Sequence, residues 1–329
     1  MTTNPFTERG RITEPARFAG RWGELSQIFE RLEAGRPVLI FGPPGIGKSS
    51  LLTHIVQAAS VNLELPELRA YYLDLRHAES PAEIYWTVSG ALGQRGDTLA
   101  AFELALVAAG DPVLLALDNA QGALAAGWGE LLLEALARIA RGRALFLVVA
   151  IEGQPPLLSE RFAELRLGAL SQPEVRLLTE TYLDGDEVAF TPGEIREISG
   201  LSGAHPAYVQ RAAFHLYQSK LDPSYDWRAS YRVEARTRPV PGAPLPPGVF
   251  EGQQREGVER SSYGEPGETY APSGPQQLPL PEVAPGLLLF IPLLIAALFL
   301  LATGALALGA VAALAGLLVA GLWLRRRSS

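Results

Sequence analysis

The chain has 329 residues and a formal net charge of −7, so it has room for one large or two modest domains and lacks the positive balance of a general nucleic-acid surface. The absence of cysteine excludes disulfides and thiolate metal sites, and the four histidines have no metal-ligand spacing. No apolar stretch typical of a secretory signal is present near the first residue.

Residues 1–20 are polar and irregular, and the first periodic segment follows them. Four apolar residues between Leu25 and Leu32 recur at helical spacing, which predicts a first helix. Apolar residues 38–41 then predict a short buried strand. The next eight residues, 42–49, read GPPGIGKS and fit the G-x-x-x-x-G-K-[ST] pattern, and a second helical pattern follows them. This order of strand, loop and helix predicts a phosphate-binding P-loop, the Walker A motif.

The residue types of this loop suit the binding of ATP with Mg²⁺. Its glycines let the backbone turn tightly, so that successive N–H groups converge on an anion at the positive end of the helix. Lys48 is expected to reach the β- and γ-phosphates, and Ser49 to hold Mg²⁺. Binding of nucleotide without hydrolysis remains an alternative. The predicted nucleotide-binding residues of the loop are Gly42, Pro43, Pro44, Gly45, Ile46, Gly47, Lys48, Ser49 and Ser50.

Strands and helices alternate through the next hundred residues. Continuous apolar strands separated by helices predict a parallel sheet that is covered on both faces. We therefore expect an α/β P-loop NTPase domain of three layers over residues 1–170. Strands are predicted at 69–75, from 113 onward, at 144–151 and, as a short fifth, at 164–170; helices are predicted at 81–92, 98–108 and 129–141.

From Ser171 onward the pattern changes to one helix after another. Ser171 and Glu174 form a predicted capping box, and Thr191 is predicted to cap the next helix. Two further helices are predicted at 204–218 and 225–236. Residues 171–236 are thus expected to form a small all-α lid domain over the nucleotide site.

The C-terminal part has a different composition. Residues 237–285 are rich in Pro, Gly, Gln and Glu, which predicts a disordered linker. Residues 286–324 contain no charge and are too long for one straight span, so they predict a transmembrane hairpin of two helices that breaks near Thr303. Three arginines in the basic tail, residues 325–329, favour a cytoplasmic C-terminus. Two spans then place the ATPase domain in the cytoplasm, attached to the cell (inner) membrane.

The second motif that suits nucleotide chemistry is an apolar strand that ends in Asp118, about 70 residues after the P-loop. Asp118 is predicted to hold the water shell of Mg²⁺. The next residue is Asn119, which can orient water but cannot accept a proton as a carboxylate does. Either hydrolysis is slow, or another acid contributes. Glu152 after the fourth strand is a candidate, and a solvated loop acid is its alternative. The predicted catalytic residues are Lys48, Asp118 and Asn119.

Several of these segments together resemble AAA+ and STAND-type ATPases, with the Orc/Cdc6-like and archaeal-ATPase-like group as the nearest branch. They are the P-loop, LALDNAQ, ALFLVVAIEG, LRLGALSQPEVRLL and SGLSGAHPAYVQRAA, and the resemblance covers about residues 15–220. It implies ATP and Mg²⁺ as ligands, with His205 and Pro206 facing the adenine and Arg21 shaping the pocket.

The chain departs from the family pattern at several positions. Asn119 replaces the usual acid, and residues 149–152 lack the Asn, Thr or Arg that family members often use to sense the γ-phosphate. Arg161 and Arg166 are candidates for fingers that act on a neighbouring subunit, and surface arginines are their alternative. A winged-helix DNA reader has no room after the lid, which argues against an Orc-like DNA-binding module.

Two functions of different classes are compatible with these features. The first is a membrane-tethered ATPase or ATP-dependent switch that couples lid closure to self-association or to the binding of a protein partner. The second is a nucleotide-bound membrane scaffold with negligible turnover. The intact Lys48, Ser49 and Asp118 favour at least Mg²⁺-dependent binding, whereas Asn119 favours the scaffold. Nucleic acid is not an expected partner, and a channel or transporter is disfavoured because the hairpin carries no charge.

Overall fold

A computed structural model describes residues 3–142, 144–154 and 161–250, and a five-stranded parallel sheet lies at the centre of this part of the chain. Each neighbouring pair of strands is parallel, which confirms the predicted class of α/β P-loop NTPase sheet. The strands lie in the order β2 (Arg69–Asp74), β3 (Val113–Asp118), β4 (Leu145–Glu152), β1 (Val38–Gly42) and β5 (Ala163–Arg166).

Helices pack on both faces of the sheet. Successive residues of a strand point to opposite faces, so Leu114 packs on one side of the sheet and Leu115 on the other. Both are fully buried, as the continuous apolar strand pattern predicts. The helices are α1 (Trp22–Glu33) and α2 (Lys48–Asn62) on the face of Leu114, and α3 (Pro81–Ala91), α4 (Leu99–Ala109), the unpredicted short α5 (Gln121–Ala125) and α6 (Gly129–Ala140) on the face of Leu115.

Four further helices build a separate apolar cluster, which we call the helical layer. They are α7 (Gln172–Tyr182), α8 (Pro192–Ser202), α9 (Pro206–Leu221) and α10 (Trp227–Thr237). The predicted caps are present: Thr191 Oγ1 accepts from Glu194 N at 3.3 Å, and Glu174 accepts from Ser171 N at 2.7 Å. Helix α10 begins two residues later than predicted, because the Asp226 side chain caps it.

The N-terminal segment, residues 3–18, contains little regular structure but joins the two parts of the fold. Phe6 is fully buried in the helical layer and stacks on Tyr182, with ring centroids 5.4 Å apart. Six residues later, Ile12 N donates to Ser50 Oγ on α2 at 3.0 Å. The sequence reading of this segment as irregular is confirmed for its backbone, but its packing was not predicted.

Part of the predicted linker is ordered. Residues 238–250 pack against the helical layer, since Val240 and Val249 supply buried apolar side chains and Arg232 Nε donates to Gly248 O at 3.1 Å. The rest of the linker, the hairpin and the basic tail lie outside the described residues. Within the described ranges, no helix is long and apolar enough to cross a membrane.

Candidate nucleotide-binding site

The P-loop connects the end of β1 to the first turn of α2 and has an open, anion-binding shape. Gly45 and Gly47 adopt φ values of 69° and 99°, which residues with a Cβ rarely adopt. A Cβ on Gly47 would meet no heavy atom within 4 Å, so this side of the loop is free for a ligand. Backbone N–H groups and the positive end of α2 therefore fit a phosphate.

Lys48 lies inside this loop. Its Nζ donates to the carbonyl oxygens of Gly42 and Pro43, each at 2.9 Å. Burial lowers the pKa of Lys48, and the carboxylates of Glu152 and Asp118 oppose that lowering. The ammonium is thus held by neutral carbonyls, close to the ends of β3 and β4. Phosphate oxygens would be stronger acceptors for this ammonium than the carbonyl oxygens are.

Asp118 is the last residue of β3 and is 1 % exposed. Its Oδ2 accepts from the Tyr72 hydroxyl at 2.5 Å, and its Oδ1 accepts from Asn119 N at 2.9 Å. Burial and the contact with Asp118 raise the pKa of Tyr72, so this hydroxyl remains a donor. Ser49 lines the cavity and can contact Mg²⁺ directly, whereas Asp118 does not line it. Asp118 therefore fits a role through the water shell of Mg²⁺, at a carboxylate that the Tyr72 hydroxyl covers in this structure.

Asn119 lines the cavity in the left-handed conformation, with φ 55°. Asparagine tolerates this conformation better than most residues with a Cβ. Its Nδ2 donates to Asp74 Oδ1 at 2.8 Å, at the neighbouring end of β2. The amide is thus engaged as a donor to a carboxylate, and it offers no basic atom to an attacking water. Glu152 also lines the cavity, which keeps it as a candidate acid.

A cavity of about 300 Å³ extends from the P-loop to the helical layer and the N-terminal segment. Six of its lining residues are cationic and two are acidic, an excess that suits a triphosphate. The cations are Arg9, Arg11, Arg21, Lys48, Arg76 and Arg211, and the acids are Glu8 and Glu152.

The resemblance places His205 and Pro206 at the adenine and has Arg21 shape the pocket, and these three residues occupy different positions. Arg21 and Pro206 line the cavity. The Arg21 guanidinium donates to Ile46 O in the P-loop and to Gly168 O. Arg21 immediately precedes α1, so it connects the start of this helix to the P-loop. His205 does not line the cavity, and its expected position at the adenine stays a prediction. Its Nε2 lies 3.0 Å from Pro44 O, and burial lowers the pKa of the ring, so a neutral imidazole contacts the loop.

Other cavity residues were missed because their contacts are distant in sequence. The Arg11 guanidinium lies over the Tyr72 ring, 4.2 Å from its centroid, and thereby packs against the partner of Asp118. No local pattern marks an N-terminal residue for such a contact. Of the two candidate finger arginines, Arg161 is paired with Glu134 at 3.2 Å, and Arg166 ends β5. Their role on a neighbouring subunit stays a prediction.

Comparisons with known proteins agree with this geometry. A family model described as an AAA domain matches residues 31–159, which include the P-loop, Asp118 and Asn119. No curated protein matches the chain.

Among solved structures, a Walker-type ATPase of Pyrococcus abyssi is 15% identical, with a TM-score of 0.53, and the match covers 78% of this chain and 80% of that one. The Orc1 protein of Aeropyrum pernix in complex with DNA is 18% identical, with a TM-score of 0.44 over 74% of this chain and 66% of that one. The RuvB Holliday junction branch migration motor of Thermotoga maritima is 17% identical, with a TM-score of 0.44 over 65% and 69%. The family model and the Pyrococcus abyssi structure together show that the chain has the fold of an AAA-type P-loop ATPase domain.

Proposed function

We propose that the protein is a membrane-tethered, ATP-dependent switch that couples nucleotide binding to self-association or to a protein partner. The observation that carries the proposal is the cavity, because the P-loop and the helical layer both line it. A nucleotide in this cavity contacts both parts of the fold. It can therefore favour one arrangement of the two over another, to the extent that its affinity for them differs.

Different residues of the site bind the phosphates, the metal ion and the attacking water. The P-loop N–H groups and Lys48 bind the phosphates, and Ser49 offers its hydroxyl to Mg²⁺, with Asp118 behind it. When bound, Mg²⁺ supplies charge neutralisation at the phosphates. Asn119 orients a water molecule without taking its proton.

A second candidate function is a nucleotide-bound scaffold with negligible turnover. Position 119 often carries a catalytic acid in similar ATPases, and here it is an asparagine. The amide of Asn119 already donates to the Asp74 carboxylate, which favours a protein with negligible turnover. In both cases ATP is the expected ligand and nucleic acid is not an expected partner.

The proposal is tested by titrating the full-length chain with ATP, with and without Mg²⁺. We expect wild type to bind ATP more tightly with Mg²⁺, and Asp118→Ala to bind ATP while losing most of that dependence. Tyr72→Phe is the matched variant, because it removes only the hydroxyl that covers Asp118 and should retain or strengthen the Mg²⁺ dependence. Wild-type affinity that is the same with and without Mg²⁺ would remove Asp118 from this role, and absence of ATP binding would refute the function.

The membrane tether rests on the sequence of residues 286–324. We propose two spans, with both the ATPase domain and residues 325–329 in the cytoplasm. The full chain should then fractionate with membranes and require detergent for release.

A tag after Ser329 should resist protease added to intact cells and become accessible only after lysis. Cleavage of the tag from outside, while the ATPase domain stays protected, would establish a single span and exclude the hairpin.

A further inference from the structure

The ordered segment that follows α10, residues 238–250, lies directly against the P-loop, and we call it the strap. Val240 of the strap lines the cavity together with the loop. A Cβ on Gly45 would lie 2.7 Å from Val240 Cγ1, and a Cβ on Gly242 would lie 2.9 Å from Pro44 Cγ. Both distances are too short for a real side chain, so a glycine on each side allows the strap and the loop to touch.

Hydrogen bonds attach the strap to the helical layer. Val240 N donates to the buried Tyr208 hydroxyl at 3.1 Å, and Arg236 Nη2 on α10 donates to Val249 O at 2.6 Å. Among the described residues, no hydrogen bond joins the strap to the P-loop, so that contact is made by carbon atoms alone. The strap is therefore bound to the helical layer and only rests on the loop.

The strap is also stiff. Five of the thirteen residues 238–250 are proline. Proline fixes its own φ and restricts the residue before it, and proline-rich segments behave as semi-rigid spacers. Pro246, for example, has φ −70° and ψ 153°, which lie in the polyproline II region. A segment of this kind changes position as a unit, together with the part of the fold to which it is bound.

We propose that the strap gates nucleotide exchange at the P-loop. While the strap rests on the loop, Val240 and Pro241 form part of the cavity wall and a bound nucleotide is retained. When the helical layer moves away from the sheet, the strap moves with it and uncovers the loop, so nucleotide enters or leaves. This inference rests on the proposed function, since it assigns a means of regulation to the same nucleotide site.

An introduced disulfide tests the gate directly, because the chain has no cysteine of its own. A Cβ on Gly242 would lie 3.7 Å from Pro44 Cβ, inside the range of about 3.5–4.5 Å found in native disulfides. The double variant Pro44→Cys with Gly242→Cys should therefore form a bond that fixes the strap on the loop. The reduced form of the same variant is its control, because it has the same residues without the bond.

The measurement uses mant-ATP, a fluorescent ATP, and the full-length double variant. Protein loaded in the reduced state is oxidised, mass spectrometry confirms the cross-link, and release is followed after addition of excess ATP. Oxidation should slow release at least about 10-fold, because exchange through a minor open state is then blocked. Entry of mant-ATP into oxidised, empty protein should slow likewise, and reductant should restore both rates. Each single-cysteine variant should release mant-ATP at one rate in oxidant and reductant.

Gly242→Ala tests the gate without a cross-link. Its methyl group meets Pro44 Cγ only while the strap is closed, so the variant should release mant-ATP about 10-fold faster than wild type. Gly185→Ala, between α7 and α8, is the matched control. Gly185 and Gly242 have φ 75° and 74°, but a Cβ on Gly185 would meet no heavy atom within 4 Å. This control introduces the same backbone strain away from the loop and should release mant-ATP like wild type.

Equal release rates from the cross-linked and the reduced double variant would overturn the inference. If that variant does not fold, bind or cross-link, the glycine variants decide: release from Gly242→Ala that is no faster than from Gly185→Ala overturns it as well. A wild type that binds no mant-ATP refutes the proposed function itself, so the two failures are distinguishable.

Discussion

Lys48→Ala is expected to weaken ATP binding by at least about 10²-fold, because it removes the charge-assisted hydrogen bonds to the β- and γ-phosphates. In the structure the same ammonium donates to Gly42 O and Pro43 O, so the variant also loses two contacts inside the loop. Isothermal titration with ATP measures the affinity. A thermal melt shows whether the loss of these two hydrogen bonds unfolds the protein.

The chain offers a matched control in Lys220, its other lysine. Lys220 Nζ pairs with Glu194 at 2.6 Å in the helical layer and does not line the cavity. Lys220→Ala should bind ATP like wild type, since exposed ion pairs of this kind contribute little. Equal ATP affinity in Lys48→Ala and wild type would show that the assigned phosphate site is wrong.

Asn119→Glu is expected to raise turnover about 10²-fold, at the lower end of what general-base assistance contributes. Two structural facts argue for the lower end. Position 119 has φ 55°, where glutamate is less tolerated than asparagine, and the new carboxylate would stand beside Asp74 instead of bonding it. Multiple-turnover phosphate release from the full-length chain at saturating ATP measures the effect.

Asn119→Gln is the control, because it has the length of glutamate without its charge, and it should not raise the rate. Adding Asp74→Asn to Asn119→Glu removes the like charge and should raise the rate further. If ATP binding is intact and Asn119→Glu turns over no faster than wild type, the missing base does not limit the reaction. Water positioning or subunit assembly would then be limiting.

Local patterns were sufficient for the sheet and the loop. Strands β1, β3 and β4 are continuous apolar runs, and the P-loop pattern stands between a strand and a helix. These elements could therefore be predicted from residues that are adjacent in sequence. The capping boxes at Ser171 and Thr191 are likewise short-range, and they begin helices where predicted.

Contacts between distant residues could not be read in the same way. Tyr72 covers Asp118 because β2 and β3 are neighbours in the sheet, although 46 positions separate the two residues in sequence. His205 supports Pro44 across 161 positions, and resemblance alone placed it at the base. Val240 and Val249 were assigned to a linker by composition, since two isolated valines do not outweigh the surrounding prolines and glycines.

The N-terminal segment also limits how far the fold can open. Phe6 is anchored in the helical layer and Ile12 is bonded to α2, and the six residues from one to the other span at most roughly 20 Å. While both contacts are kept, the distance between the Phe6 site in the helical layer and Ser50 on α2 cannot exceed the length of this segment. Residues 6–12 therefore limit the distance by which the helical layer and α2 can separate without the loss of one of these two contacts.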